Sequence, residues 1–316
     1  MKLDSILSAS PWIEVSIKYL YWHFESVNKL LSKIAKNKNK VNVDQSGLIS
    51  FQTVLEKIRL EGVSDDSILI VHSSSSALHN TGLNSAELCN SLIEFVKNGT
   101  LVMPAIPIFK GQPSEGTSRL SISQSDEVIT YDVRRSRVST GALPQALLKI
   151  DGAFRSRHPL NTVVTFGKSA QYLIEDNIAG EMPLPCGTYS SWKKCLDQNA
   201  YMLFLGIDAA HSMTMIHVAE DSWEGEWPIR NWYRKRSFKI IDGDDVQFKL
   251  VRERKPYWSI FFAERTLQKD LIRKGILKQF NIDGLHVELL SSGDLIKFLR
   301  SKKSSTYPYF IPSFFR

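Results

Sequence analysis

The stretch SILIVHSSSSAL, Ser67–Leu78, is the part of the chain whose reading decides the fold. Its first half is a short, continuous apolar run of the kind that forms a strand covered on both faces. Its second half places four serines before Ala77 and Leu78, which reads as a strand-to-helix turn. Upstream, Phe51–Glu61 carries Val54, Leu55, Ile58 and Leu60 at helical spacing; downstream, Ser85–Lys97 does the same with Leu88, Leu92, Ile93 and Val96. Gly99 stops that second helix, and TLVMPAIP follows as another buried strand. Further strands are expected at Thr162–Phe166 and Tyr201–Ile207, each followed by a loop and a helical stretch. Alternation of this kind predicts an α/β protein with a central, largely parallel or mixed sheet flanked by helices. A smaller antiparallel element is expected near residues 230–252, where SFKIIDGDDVQFKLV alternates around a DGDD turn. The last helices are expected at Glu264–Lys278 and Ser292–Ser301.

Outside this pattern lies an N-terminal helical extension, residues 1–45, which precedes a domain of residues 46–316. The extension has an apolar stripe of Trp12, Ile13, Ile17, Leu20 and Phe24, and then the basic run Lys33–Lys40. Two readings stand for it: peripheral contact with a membrane surface or partner through residues 1–40, or a helix docked on its own domain. The longest apolar runs, such as Thr100–Ile108, are far short of the roughly 20 residues a membrane span needs. Asp4 and Glu14 interrupt what would be the apolar part of a signal peptide. The 3 cysteines, Cys89, Cys186 and Cys195, lack metal-ligand spacing and are too few for a disulfide framework, so a reducing cytoplasm is the expected compartment. The chain carries 40 Lys and Arg against 33 Asp and Glu, a net charge of +7. That excess is compatible with a polyanionic cofactor; no nucleic-acid motif accompanies it, and no nucleic-acid partner is expected.

Several catalytic signatures fail on inspection. The Gly-Lys-Ser at Gly167–Ser169 has Thr162 where a phosphate loop requires glycine. GxGxxG, GxSxG and HExxH are absent from the sequence. His211 does not share a helical face with His217 and Glu220, and no metal site is expected.

Four positive features remain. Small residues at the Ser73–Ser76 turn leave backbone N–H donors suited to a phosphate or an oxyanion. YDVRRSRVSTG, Tyr131–Gly141, clusters Arg134, Arg135 and Arg137 beside a Ser-Thr-Gly turn, and guanidinium groups grip phosphate bidentately. FRSRHPLNT, Phe154–Thr162, places a histidine, the side chain that titrates near neutrality, in a loop before a strand. MTMIHVAED, Met213–Asp221, puts His217 and Glu220 three residues apart on a helix.

Together these features resemble the aminoglycoside 3-N-acetyltransferase family. The matches follow the family's order: HSSxSAL at His72–Leu78, GTLVMP at Gly99–Pro104, a Ser-Thr-Gly turn at Ser139–Gly141, RSxHP at Arg155–Pro159, LFLG at Leu203–Gly206 and TxxHxxE at Thr214–Glu220. The resemblance covers about residues 50–300. It implies a CoA-dependent transfer of an acetyl group from acetyl-CoA to an amine of an amino sugar, without a metal. The acceptor is either an aminoglycoside or a nucleotide-linked amino sugar of a polysaccharide pathway. Under this resemblance His158 is the expected general base, Glu220 its orienting carboxylate and His217 a supporting residue. Ser73, Ser74, Ser75 and Thr140 would face the thioester and pyrophosphate, Arg134 and Arg137 the CoA tail, and Asp221 and Glu224 the cationic acceptor. The chain departs from the family at ALHNTGL after the serine loop and at CGTYSSW, which lacks a proline. Two other readings belong to different classes. One is a non-catalytic protein binding polyanions or a membrane surface; the other is a metal-dependent amide hydrolase using His211, His217 and Glu220.

Overall fold

The computed structural model describes residues 7–29, 48–109, 127–223, 225, 227–302 and 306–312. Its strands are β1 (Ile68–Ser73), β2 (Thr100–Pro104), β3 (Ile129–Asp132), β4 (Phe154–Arg155), β5 (Val163–Gly167), β6 (Tyr201–Leu205), β7 (Tyr233–Asp242), β8 (Asp245–Arg254), β9 (Lys278–Ile282) and β10 (Leu285–Ser291). Seven form one sheet in the order β4-β5-β2-β1-β6-β10-β9. The central three, β2, β1 and β6, are parallel, whereas β5, β4, β10 and β9 join antiparallel, so the sheet is mixed.

The period of two along each strand divides the interior into two cores. Ile68, Ile70, Val102, Met202 and Phe204 point into one, with Leu267, Leu271, Leu295 and Leu299 from helices Glu264–Arg273 and Ser292–Ser301. Leu69, Val71, Leu101, Met103, Leu203 and Leu205 point into the other, with side chains of helices Phe51–Leu60 and Ser85–Phe95. Each fully covered aliphatic side chain contributes about 1.5–3 kcal/mol of transfer free energy. The chain passes from β1 to β2 on one side, while β6 lies on the other side of β1. The carboxyl end of β1 is therefore the point where connections diverge, the usual place for a ligand crevice in such sheets.

The second sheet, in the order β3-β7-β8, contains the expected hairpin, and β3 adds to it in parallel, so it is not purely antiparallel. Two further expectations are corrected. The helix expected to reach Lys278 ends at Arg273, and a hairpin, β9 and β10, follows. Its turn is Asp283-Gly284, both with positive φ (49° and 86°), the geometry that matches the twist of paired strands.

The N-terminal helix, Pro11–His23, forms as expected, but it packs through a different face. Trp12, Ile13, Leu20 and Phe24 of the apolar stripe are exposed, while Glu14 and Val15 are buried. The reason is electrostatic. Helix Glu264–Arg273 begins after Ala263, which has no side chain to cap it; the Glu14 carboxylate accepts the Arg265 amide at 2.8 Å and the Thr266 amide at 3.1 Å instead. Lys18 adds a hydrogen bond to the Phe262 carbonyl at 2.7 Å and an ion pair with Glu264 at 3.1 Å. The basic run Lys33–Lys40 lies outside the described residues. Among the described residues no helix is long and apolar enough to cross a membrane.

Candidate active site

The serine loop leaves β1 directly. The Ser74 amide donates to the Leu205 carbonyl at 2.9 Å, so the ends of β1 and β6 are tied together. Helix Ser75–Leu78 starts there, and its first amides, of Ser75 and Ser76, precede any intrahelical acceptor. Gly206, after β6, has φ +66°, and a Cβ there would sit 2.0 Å from the Ala77 Cβ; only glycine allows this loop to cross the helix.

The Ser-Thr-Gly turn packs against the serine loop, with the Ala142 amide 3.4 Å from Ser75 Oγ. The same turn is fastened to the exit of β2: Thr140 Oγ1 donates to the Pro104 carbonyl at 2.5 Å and Ser139 Oγ to the Ile106 carbonyl at 3.0 Å. Thr140, expected to face the thioester and pyrophosphate, gives its hydroxyl proton to a backbone carbonyl, so that proton is not free for a reacting oxygen. Arg134 is turned toward the hairpin, 3.6 Å from Asp242 and largely exposed, and Arg137 is exposed. The buried arginine of the region is Arg155, which donates to the carbonyls of Val133 (3.2 Å), Ser136 (2.7 Å) and Ala105 (2.8 Å) and so fixes the loop that carries the other arginines.

Beyond β6, helix His217–Asp221 brings the next motif to a cleft of about 200 Å³ whose walls include Ile106, Phe109, Pro159, Asn161, His217 and Arg254. His217 Nδ1 lies 3.0 Å from Glu220 Oε1. With that nitrogen donating to the carboxylate, Nε2 is the acceptor, and it has no hydrogen-bond partner among the described residues. Tyr309 also donates to Glu220 Oε1, Arg254 donates to the Tyr309 hydroxyl, and Arg254 Nη1 stands 4.0 Å from the carboxylate. Burial pushes the Glu220 carboxyl up, but His217, Arg254 and Tyr309 outweigh it and hold the group below the usual carboxylate range. The adjacent Asp221 goes the other way: burial and the Glu220 charge push it up to about 7. Its oxygens accept the Cys186 amide at 2.9 Å and the Tyr233 hydroxyl at 3.0 Å. Asp221 also borders a second cleft of about 350 Å³, with Met182, Pro183, Tyr189 and Arg252.

His158 is not where the expected dyad requires it. Its ring is buried, Nδ1 accepts the Leu160 amide at 3.2 Å, and Nε2 points at the Pro183 carbonyl at 3.4 Å. Burial lowers it to about 4. Glu220 pairs with His217 instead, which corrects the expected Glu220–His158 pair; the reason is that three residues along a helix is hydrogen-bonding distance. Glu224 lies outside the described residues. His211 stands apart from His217, beside Asp208, Arg265 and Glu264, and among the described residues no group of three or more His, Cys, Asp or Glu is arranged to hold a metal ion. Sequence reasoning missed Arg254 and Tyr309. Tyr309 meets Glu220 across 89 positions, a separation for which no local pattern carries a signal.

Over most of its length the chain is similar to known proteins. A family model described as aminoglycoside 3-N-acetyltransferase matches residues 70–302. Aminoglycoside N(3)-acetyltransferase IX of Micromonospora chalcea is 24% identical over 260 residues, covering 75% of this chain and 87% of that protein. Among solved structures, aminoglycoside acetyltransferase AAC(3)-IIb is similar with a TM-score of 0.64 and 20% identity, over 84% of this chain and 100% of that one. AAC-IIIb in binary complex with CoASH has a TM-score of 0.61 and 18% identity, over 83% and 98%. A mutant of AAC(3)-IVa in complex with a gentamicin has a TM-score of 0.65 and 18% identity, over 86% and 94%.

Proposed function

This chain belongs to the aminoglycoside 3-N-acetyltransferase family, and from that premise we propose that it moves an acetyl group from acetyl-CoA to an amine of an amino sugar, with His217 as general base. The observation that carries this reading is the His217–Glu220 hydrogen bond at the cleft beyond the carboxyl ends of the central strands. An ammonium is not a nucleophile, so a base must take its proton as attack begins. His217 Nε2 takes that proton, and the amine lone pair forms the C–N bond at the thioester carbonyl. Glu220 stays ionised, fixes the tautomer and stabilises the imidazolium, in the manner of a carboxylate behind a catalytic histidine. The tetrahedral oxygen needs a preorganised hydrogen-bond donor, worth about 2.7–4 kcal/mol. Collapse breaks the C–S bond; the imidazolium gives its proton to the departing thiolate, and the freed Nε2 then takes the remaining excess proton from the new amide nitrogen and passes it to solvent.

Acetyl-CoA supplies the activated acyl group. Ser73, Ser74 and Ser75 form the turn for its pyrophosphate, and Arg134 and Arg137, in the loop before the Ser-Thr-Gly turn, are the candidate cations for the CoA tail. A direct transfer fits the cysteines. Cys186 adjoins Asp221, but burial and the Asp221 charge push its thiol well above the usual range, so it stays protonated and is a poor nucleophile. His158 then serves as a positioning residue that holds the Leu160 loop to Pro183. For the acceptor, two nearby carboxylates are already engaged, Asp221 by the Cys186 amide and Glu253 by Arg234 and Arg236, while Arg252 and Arg254 stand in the cleft walls. This mixture suits an amino sugar that also carries a negative group, such as a nucleotide-linked one, and Glu224 is the remaining candidate for a cationic aminoglycoside.

The test is thiol release from acetyl-CoA with gentamicin, sisomicin, apramycin and nucleotide-linked amino sugars. His217→Ala is expected to lower turnover by about 100-fold or more with acetyl-CoA affinity nearly unchanged. A rise confined to the KM for the amine would make His217 a binding residue, and CoA binding without thiol release for any amine would overturn the transferase reading.

A further inference from the structure

Glu220 is oriented through one oxygen only. Oε1 accepts both His217 Nδ1–H and the Tyr309 hydroxyl, whereas Oε2 is buried without a hydrogen-bond partner among the described residues. A carboxylate held in this way can turn about its last torsion unless the Oε1 contacts fix it. Tyr309 belongs to the segment 306–312, beyond residue 302, where the family match ends. That segment is firmly seated: the Tyr309 amide donates to the Thr306 carbonyl at 2.8 Å, the Phe310 amide to the Phe261 carbonyl at 2.9 Å, and the Ala263 amide to the Pro308 carbonyl at 3.0 Å. The Tyr309 ring stands edge-on to Trp232 at 4.9 Å and packs on Phe262 at 5.1 Å. The N-terminal helix, also outside the match, braces the same place, with Trp12 against Phe310 at 5.8 Å and Lys18 on the Phe262 carbonyl.

We infer that Tyr309, polarised by Arg254, is a positioning residue that holds Glu220 in the orientation His217 needs, so that the two chain ends outside the family match complete the site. This rests on the reading of His217 as the base. The groups facing Glu220 from the elements packed around it are His217, Asp221, Cys186, Tyr233, Arg254 and Tyr309. Of these, Arg254 and Tyr309 join His217 in favouring the ionised carboxylate, all three through Oε1. A phenol donating to a carboxylate stabilises the deprotonated dyad, so its loss makes the dyad a stronger base.

The experiment compares the full-length protein with Tyr309→Phe, which keeps the ring and its aromatic contacts. The His217 imidazole is titrated by NMR, with His217→Gln identifying its signal. Loss of one charge-assisted hydrogen bond is expected to raise the midpoint at which His217 loses its proton by about 1 pH unit. Turnover with an accepted amine is expected to fall about 10-fold, with the KM for acetyl-CoA unchanged. Arg254→Gln leaves the phenol in place, removes the charge and is expected to move the midpoint the same way, so it carries the test if Tyr309→Phe does not fold. An unmoved midpoint in a folded variant would overturn the inference, as would a kinetic change confined to KM. The titration needs no acceptor, so a protein that acetylates none of the amines tested would sink the transferase reading and still return a result for Tyr309.

Discussion

At the scale of single residues the molecule keeps two imidazoles neutral by enclosing them. His72, at the end of β1, lies flat on Phe204 at 4.8 Å, and burial alone lowers it to about 3; His158 is lowered to about 4. Both folded values lie below the ordinary 6.5. The stability they contribute is therefore present above that value and is lost as the pH falls toward 4, because the unfolded chain takes up protons that the folded one refuses. Each costs about 2 kcal/mol at pH 5 by this linkage. Replacing His72 with Phe, which keeps the stacked ring, should make the drop in Tm between pH 7 and pH 5 smaller; an equal drop in variant and parent would show that His72 is not a source of acid sensitivity. Asp221 acts in the opposite sense. Its value is raised from 3.8 to about 7, so its contribution is present at low pH and is lost as the pH rises through 7. The sequence makes the nearness of His217 and Glu220 legible, since three residues on a helix are neighbours. It cannot show which of His158 and His217 faces the cleft, because that depends on what covers each ring.

At the scale of elements, the N-terminal helix shows how an apolar pattern can mislead. The stripe through Trp12 and Leu20 is the more hydrophobic face, yet the helix docks through Glu14, Val15 and Lys18. Two uncapped amides at the start of helix Glu264–Arg273 offer a carboxylate more than an apolar surface would. Glu14→Ala should lower stability by about 1–2 kcal/mol, read as a fall in the denaturation midpoint. Glu14→Gln, which keeps one acceptor, should lose less. A loss below about 0.3 kcal/mol for the alanine variant would mean the carboxylate is not what holds this helix. Strands β1, β2 and β6 are readable because each is a short apolar run between turn signals. The hairpin of β9 and β10 is not, because LQKDLIRKGILK extends a helical pattern up to its first residue, and only pairing with β6 settles the region as sheet.

At the scale of the whole molecule, the two sheets are joined by Arg155. Its guanidinium, on β4 of the large sheet, gathers carbonyls from the loop after β3 and from the exit of β2, while the Tyr131 hydroxyl of β3 donates to the Ser156 carbonyl at 2.7 Å. Three carbonyls would be left without a donor if it were removed. Arg155→Lys keeps the charge but not the planar fork, and it should cost about 3 kcal/mol and lower turnover, since the β2 exit lines the cleft; a variant as stable as the parent would show that the sheets are held by apolar contacts alone. By itself the sequence determined the α/β class, the serine turn at the end of β1 and the Ser-Thr-Gly turn, and it placed His217 and Glu220 as neighbours on one helix without showing that they pair. These depend on neighbours within a few residues, where the period of a strand or helix fixes which side chains meet. Only the tertiary structure decided that His158 is enclosed, that Glu14 rather than the apolar stripe seats the first helix, and that Tyr309 and Arg254 stand behind Glu220. Those contacts join residues far apart in the chain, and they form where burial leaves a donor or an acceptor that only a distant segment can satisfy.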